Sequence, residues 1–371
     1  MRMGVRPVIK AIHQLLPNFN KHDAIGNEAV IMQRILREMG FSSEIYAEFG
    51  GASELGAFLE RQEAQAAVLY HFSIASSIPS LIAPLPMLKL VRYHNITPPW
   101  FFRGDREQAA RHACSIGRRQ IAMVGTIADS VAADSQYNAS EMIDFTDRPP
   151  VVVPILRDYS KLASEVASEY AAPLQRSGRR AMLFVGRIAP NKCQHDLIVL
   201  LHLAQKFIDK NLQLILVGSF FSEEFADQIA QLCSKLGLKL GTKLDTEYDA
   251  DVLIPRNVSD QQVAALYRHS TVFVSMSEHE GFGVPLVEAM HFDLPLLAHK
   301  AAAVPETIGD AGILVDKDDW PQTLAALRAL LESKDLRDRV VGEARLRRQA
   351  LGLKAGERMF KDWIESSVAR C

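Results

Sequence analysis

The chain has 371 residues, 48% of them hydrophobic and 23% charged, with a formal net charge of −2. The length calls for two domains or three, the composition is that of a globular chain with a sizeable core, and the near-neutral charge gives no global attraction to nucleic acid. The four scattered cysteines, Cys114, Cys193, Cys233 and Cys371, form no CxxC pair. Reduced thiols in a cytoplasmic setting are therefore expected, not disulfides or zinc. No apolar run approaches the roughly 18 residues of a membrane span, and Met1–Lys10 has two arginines but no long apolar stretch of the signal-peptide kind.

Short apolar runs alternating with helical patterns predict βαβ units and parallel sheets. The first run, Pro7–Ile12, is followed by a polar stretch to Asn27 and a helix with Ala29, Val30, Met32, Ile35, Leu36 and Met39 on its apolar face, closed by Gly40. Further strands are expected at Ser43–Ala47, Ala66–Tyr70, Leu88–Tyr93, Ser130–Ala133 and Val151–Val153. Pro154 to Arg180 is more polar and reads as the linker. A second series follows at Ala181–Val185, Leu212–Val217, Val252–Ile254, Val272–Ser275 and Leu294–Ala298, with helices such as Glu223–Leu236 and Asp260–His269 between strands. Leu324 to Ala369 reads as mostly helical. Two α/β halves of this kind imply a central cleft, with ligands beyond the carboxyl ends of the strands.

The most informative segment runs from Ser275 to Met290. A buried strand ends at Ser275, a loop with Gly281 and Gly283 follows, and a helix starts near Pro285. Glycines allow close backbone approach, and the N–H groups of a helix start favour an anion or sugar hydroxyls. Glu280 before the loop and Glu288 in the helix can both line one pocket, where carboxylates accept hydrogen bonds from vicinal hydroxyls. Each glutamate alone could equally be a dipole-complementing or exposed loop charge; the constellation is what points to a ligand.

The spacing of Glu280 and Glu288 around Gly281-Phe282-Gly283-Val284-Pro285-Leu286 resembles the signature of retaining glycosyltransferase family 4, and in particular the mannosyltransferases of bacterial surface-polysaccharide synthesis. The resemblance extends through Leu183-Phe184-Val185-Gly186-Arg187 to Lys192, through Asn257 to Tyr267, and through Val304-Pro305-Glu306 with Gly309 to Gly312. It implies a GT-B fold: two Rossmann-like α/β domains facing a central cleft, with residues 1–172 binding the acceptor and residues 173–350 the nucleotide sugar. A C-terminal helix at 351–371 is expected to pack back on the first domain. It further implies that Arg187 and Lys192 bind the donor diphosphate. Cations in a strand-to-helix loop at the carboxyl edge suit that role independently.

The resemblance implies donor contacts from Gly26, Gly186, Arg187, Lys192, Arg256, Asn257, Val258, Glu280, Gly281, Phe282, Gly283, Val284 and Glu288, with the base near Pro255–Val258. In the first half, Asp23 to Asn27 occupies the place of the family's glycine loop. Gly26 stands alone where many members have a Gly-Gly pair. The segment His94-Asn95-Ile96-Thr97-Pro98 resembles a motif whose histidine contacts the donor sugar, which makes His94 a catalytic candidate beside Arg187, Lys192 and Glu280. His71 is similarly placed, and Ser135 reads as a helix cap.

The implied reaction transfers a hexosyl unit, mannosyl from GDP-mannose or a UDP-sugar as the alternative, to a glycan or lipid-linked saccharide with retention of configuration. No cofactor and no metal are expected. The triplet Asp249-Ala250-Asp251 enters its strand from the amino end, away from the donor. The Arg-rich segment around Arg339, Arg345, Arg347 and Arg348 reads as a solvated helix face, with peripheral contact to the cytoplasmic face of a membrane as the functional alternative. Rival readings are a sugar-nucleotide epimerase of the same fold, a scaffold, and an NAD-dependent oxidoreductase. The last is disfavoured because the first strand-loop-helix lacks G-x-G-x-x-G.

Overall fold

The computed structural model describes residues 9–21, 23–61, 65–164, 178–243, 246–247, 249–256 and 258–370. The chain divides into two units. One comprises the residues up to Trp100, Gln108–Arg157 and the segment from Leu351 onward; the other comprises Phe101–Glu107 and Asp158–Ala350.

The first unit holds a seven-stranded sheet of β1 (Ala11–Phe19), β2 (Ile45–Gly50), β3 (Ser53–Glu54), β4 (Ala66–Phe72), β5 (Leu88–Tyr93), β6 (Ser130–Ala133) and β7 (Val151–Val152), in the order β3-β2-β1-β4-β5-β6-β7. Every recorded pairing is parallel, for example Leu15 against Tyr46 and Tyr70. The second sheet comprises β8 (Arg180–Val185), β9 (Leu212–Val217), β10 (Leu240–Gly241), β11 (Val252–Leu253), β12 (Val272–Ser275), β13 (Leu296–His299) and β14 (Ile313–Val315), ordered β10-β11-β9-β8-β12-β13-β14. Near-continuous apolar runs such as Leu212–Val217, with all six residues buried, form these strands because helices cover both faces. One core, including Leu197, Leu214 and Val274, lies under the helix Gln194–Phe207. The other, including Leu183, Phe273 and Met290, lies under the helices Asp260–His269 and Val284–His291. The architecture is the GT-B class of two Rossmann-like α/β units.

The first strand does not end at Ile12 but runs to Phe19, because His13 and Gln14 are buried with their polar atoms paired. Gln14 Nε2 donates to the Ala29 carbonyl, and His13 Nδ1 accepts from the Glu44 N–H. The chain passes between the units at Arg157/Asp158, where Leu162 joins the second unit's core and Tyr159 stacks on His291 with ring centroids 5.0 Å apart; the expected boundary at 172/173 lies outside the described residues. The short strands β3, β10 and β14 carry too few residues for any periodicity to announce them. The helix Leu353–Val368 packs into the first unit's core through Phe360, Trp363 and Ile364, and Trp363 Nε1 donates to Ser130 Oγ at 2.8 Å.

Candidate active site

In the second unit, two loops at the carboxyl edge of the sheet carry the sequence-predicted ligands. After β8 the chain passes Gly186 and the exposed Arg187, then turns through a short 3-10 segment, Pro190–Lys192, into the helix Gln194–Phe207. Buried Gln194 holds this loop, accepting from the Ala189 N–H (3.2 Å) and donating to the Arg187 carbonyl (3.0 Å). After β12 the loop 276–283 leads into the helix Val284–His291.

The two loops are joined at Lys192 and Glu280. Lys192 Nζ lies 2.7 Å from Glu280 Oε2, with both side chains largely buried. Asn191 supports the pair, its carbonyl accepting from the Glu278 N–H (3.0 Å) and its amide donating to the His279 carbonyl (3.4 Å).

Gly283 starts the helix with φ 89°, the left-handed region that L side chains rarely adopt. Phe282 is buried, its carbonyl accepting from Thr307 Oγ1 at 2.5 Å, and Gly281 precedes it in the loop. Glu288 lies in the same eight-residue helix, buried, with Oε2 accepting from Tyr267 OH at 2.8 Å. Val284 forms the helix's first residue. Arg256 and Val258, together with Val217, Gly218, Ser219, Phe220 and Pro255, line a cavity of about 440 Å³ where the chain leaves β9 and β11. The Arg256 guanidinium sits over the Phe220 ring at 6.0 Å. Asn257 lies outside the described residues.

The arrangement can hold an anion and polyhydroxylated ligand. Lys192 offers three ammonium donors, Glu280 and Glu288 are acceptors, and the adjoining cavity has an apolar and cationic lining. Sequence reasoning passed over Tyr267, which orients Glu288, and the Gly218–Phe220 wall.

In the first unit His94 directly follows β5, inside a buried polar network. Gln14 turns its amide nitrogen to the Ala29 carbonyl, so its oxygen accepts from His71 Nε2 at 2.9 Å. Burial, with His94 and Arg92 adding repulsion, holds His71 well below the ordinary histidine range and therefore neutral. Its bare Nδ1 then accepts from His94 Nε2 at 2.9 Å. The rings lie 4° from parallel with centroids 5.2 Å apart, so the nitrogens meet edge to edge in a hydrogen bond. His94 Nδ1 faces Asp134 Oδ2 at 3.2 Å. Fully buried Arg92 bridges Glu28 Oε1 (2.9 Å) and Asp134 Oδ1 (2.7 Å).

Both ring nitrogens of His94 are thus engaged inside the unit. The sequence did carry a sign of this cluster. Arg92 stands among the apolar residues Leu90, Val91 and Tyr93, and Glu28 shares a helix face with Met32, Ile35 and Leu36; buried charges of that kind must be paired. The turn after His94 places Asn95 at φ 75°, held by a 2.8 Å hydrogen bond to Asn138 Oδ1. Gly26 is likewise not in an open loop. It lies in the first turn of the helix Ala24–Glu38, its N–H donates to Asp23 Oδ1 at 2.7 Å, and a Cβ there would meet the Asn20 carbonyl oxygen at 1.9 Å.

The remaining candidates resolve as structural. Ser135 caps the helix Gln136–Met142. Asp251 accepts from Arg179 and Gln205, and Asp249 pairs with Lys239, at the amino ends of the strands. Arg345 pairs with Asp293, Arg347 donates to the Thr307 and Glu306 carbonyls, and Arg348 donates to the Met290 and His291 carbonyls. Arg347 and Arg348 are thus committed to the C-terminal ends of two helices within the unit, whereas Arg339 and Arg345 are exposed. Cys114, Cys193 and Cys233 are free and buried, and burial pushes the Cys193 thiol up to about 12. No helix among the described residues is long and apolar enough to cross a membrane.

Comparison with known proteins bears on the same segment. The chain is 33% identical over 81 residues to O-antigen chain mannosyltransferase B of Escherichia coli, covering 22% of this chain and 21% of the relative. It is 39% identical over 79 residues to MMP alpha-(1->4)-mannosyltransferase of Mycolicibacterium hassiacum, covering 20% and 19%. The aligned parts thus span about a fifth of these relatives' lengths. Among solved structures, Anabaena HepE in complex with UDP and glucose superposes with a TM-score of 0.72 at 16% identity, covering 96% of this chain and 100% of that one. Residues 168–347 match the family described as glycosyl transferases group 1, so the segment bearing Lys192, Glu280 and Glu288 carries that family's sequence on a GT-B fold.

Proposed function

We propose that this chain is a retaining glycosyltransferase that moves a hexosyl residue, mannosyl from GDP-mannose, onto a glycan or lipid-linked oligosaccharide acceptor in the cytoplasm. The observation that carries the reading is the 2.7 Å Lys192–Glu280 pair, set between two strand-end loops beside a helix start in the segment that matches the family. Lys192 and Arg187 neutralise the departing diphosphate, Glu280 accepts from hydroxyls of the donor sugar, and Glu288, oriented by Tyr267, accepts from the ribose. The base lies in the cavity lined by Phe220, Pro255, Arg256 and Val258. The loop residues Gly186, Gly281, Phe282, Gly283 and Val284 bring backbone close to the donor.

Retention follows from front-face departure of the nucleoside diphosphate. The C–O bond between sugar and phosphate breaks, the acceptor hydroxyl attacks the same face, and its proton passes to the leaving phosphate. The protein supplies positioning and charge stabilisation, with no cofactor and no metal. The mannosyl reading is supported by the two mannosyltransferase relatives. A second reading, a UDP-sugar donor, is supported by the likeness to the UDP-bound HepE structure. A thermal-shift panel of GDP, UDP and their sugars separates them, because a ligand that binds only the folded state raises its apparent stability. Stabilisation by GDP-mannose above UDP-glucose is expected. The reverse order favours the second reading, and no shift with any nucleotide refutes the transferase assignment.

A further inference from the structure

The turn after β14 reaches both donor loops at once. Lys317 Nζ lies 2.9 Å from Asp196 Oδ2, in the first turn of the helix that follows Lys192. It also lies 2.9 Å from Glu278 Oε1, two residues before Glu280. Its own backbone is fixed by an N–H donated to His299 Nδ1 at 3.2 Å, at the end of β13. The Lys317 side chain is 13% exposed and that of Asp196 15%, whereas Glu278 is 38% exposed, so the clamp is desolvated on one arm and open on the other. Burial opposes the charge, yet the hydrogen bonds to Asp196 and Glu278 outweigh it and hold the ammonium well above the ordinary lysine range.

Without this cation, Asp196, Glu278 and Glu280 would face an incoming diphosphate with Lys192 as the one cation paired to them in this cluster. The loop 276–283 would also lose the Lys317–Glu278 tie that joins it to the turn after β14. We propose that Lys317 is a positioning residue of the donor site, which sets the two loops in the register where Lys192 meets Glu280 and offsets the carboxylates beside them. The inference rests on the transferase reading above. It adds an element that touches neither sugar nor phosphate.

The test compares GDP and UDP affinity by titration calorimetry, with donor KM and kcat, for the wild-type full chain, Lys317→Met, Lys317→Arg and Glu278→Gln. Lys317→Met is expected to weaken nucleoside diphosphate binding about tenfold, equivalent to 1.4 kcal/mol, and to raise donor KM while acceptor KM is unchanged. Lys317→Arg, whose guanidinium can reach two carboxylates, should restore affinity to within about threefold. Glu278→Gln removes the exposed arm without endangering the fold and should show part of the loss. A lowered melting temperature with unaltered affinity in these variants means a purely structural clamp and overturns the proposal. If Lys317→Met does not fold, Lys317→Arg and Glu278→Gln decide, and wild-type affinity in Glu278→Gln overturns it. A wild-type chain that binds neither nucleotide overturns the transferase reading itself, and this inference with it.

Discussion

The Lys192–Glu280 pair makes a demanding prediction. Unit charges 2.7 Å apart interact by about 6 kcal/mol at an effective dielectric of 20, a ceiling that desolvation of both groups largely offsets. In the proposed reaction the ammonium meets the leaving diphosphate, and loss of such a contact costs about 2.7–4 kcal/mol, or roughly 10²–10³ in turnover. Lys192→Ala is therefore expected to abolish most transfer with the fold intact by circular dichroism. It also leaves the Glu280 carboxylate without its counter-charge where the diphosphate arrives. Glu280→Gln in the Lys192→Ala background should then recover part of the lost donor affinity, with a non-additivity of about 0.5–3 kcal/mol, as for residues in direct contact. The assay is steady-state release of nucleoside diphosphate together with donor titration calorimetry. Near-normal turnover of Lys192→Ala at saturating donor would remove the diphosphate role, and strictly additive variants would show that the pair is not coupled in the working enzyme.

Other consequences follow from buried groups. Glu288→Ala should weaken nucleotide binding, and Tyr267→Phe should do so by a smaller factor, since a hydrogen bond to a charged group is worth about 1.5–3 kcal/mol; unchanged affinity in both would remove the ribose assignment. Arg92→Leu strands Glu28 and Asp134 in the core and should destabilise the first unit by about 3–5 kcal/mol in urea unfolding; a loss below about 1 kcal/mol would contradict the pairing. His71 sets a pH dependence. Its folded form stays neutral while the unfolded histidine takes up a proton below its ordinary pKa of about 6.5. Its contribution is therefore level above that pH and falls by about 1.4 kcal/mol per unit as the pH drops below it. His71→Gln should flatten that slope, and identical slopes in variant and wild type would refute the assignment.

Much of the fold was legible in the residues alone. Buried parallel strands read as short apolar runs, so Leu88–Tyr93, Ser130–Ala133, Leu212–Val217 and Val272–Ser275 match the structure end for end. The loop and helix around Gly283 and Glu288 were equally readable, because a glycine at positive φ and a proline in the first helical turn are local requirements. Pairing was not local. Lys192 and Glu280 are 88 positions apart and Tyr267 and Glu288 21, and nothing in spacing says that their side chains meet. Only the tertiary structure decided that His94 spends both ring nitrogens on His71 and Asp134, that Gly26 serves the close approach of the Asn20 carbonyl, and that Arg347 and Arg348 hold helix ends. Each depends on which groups the fold removes from water and must therefore satisfy from within, and that is settled by packing across the sheet, not by neighbours along the chain.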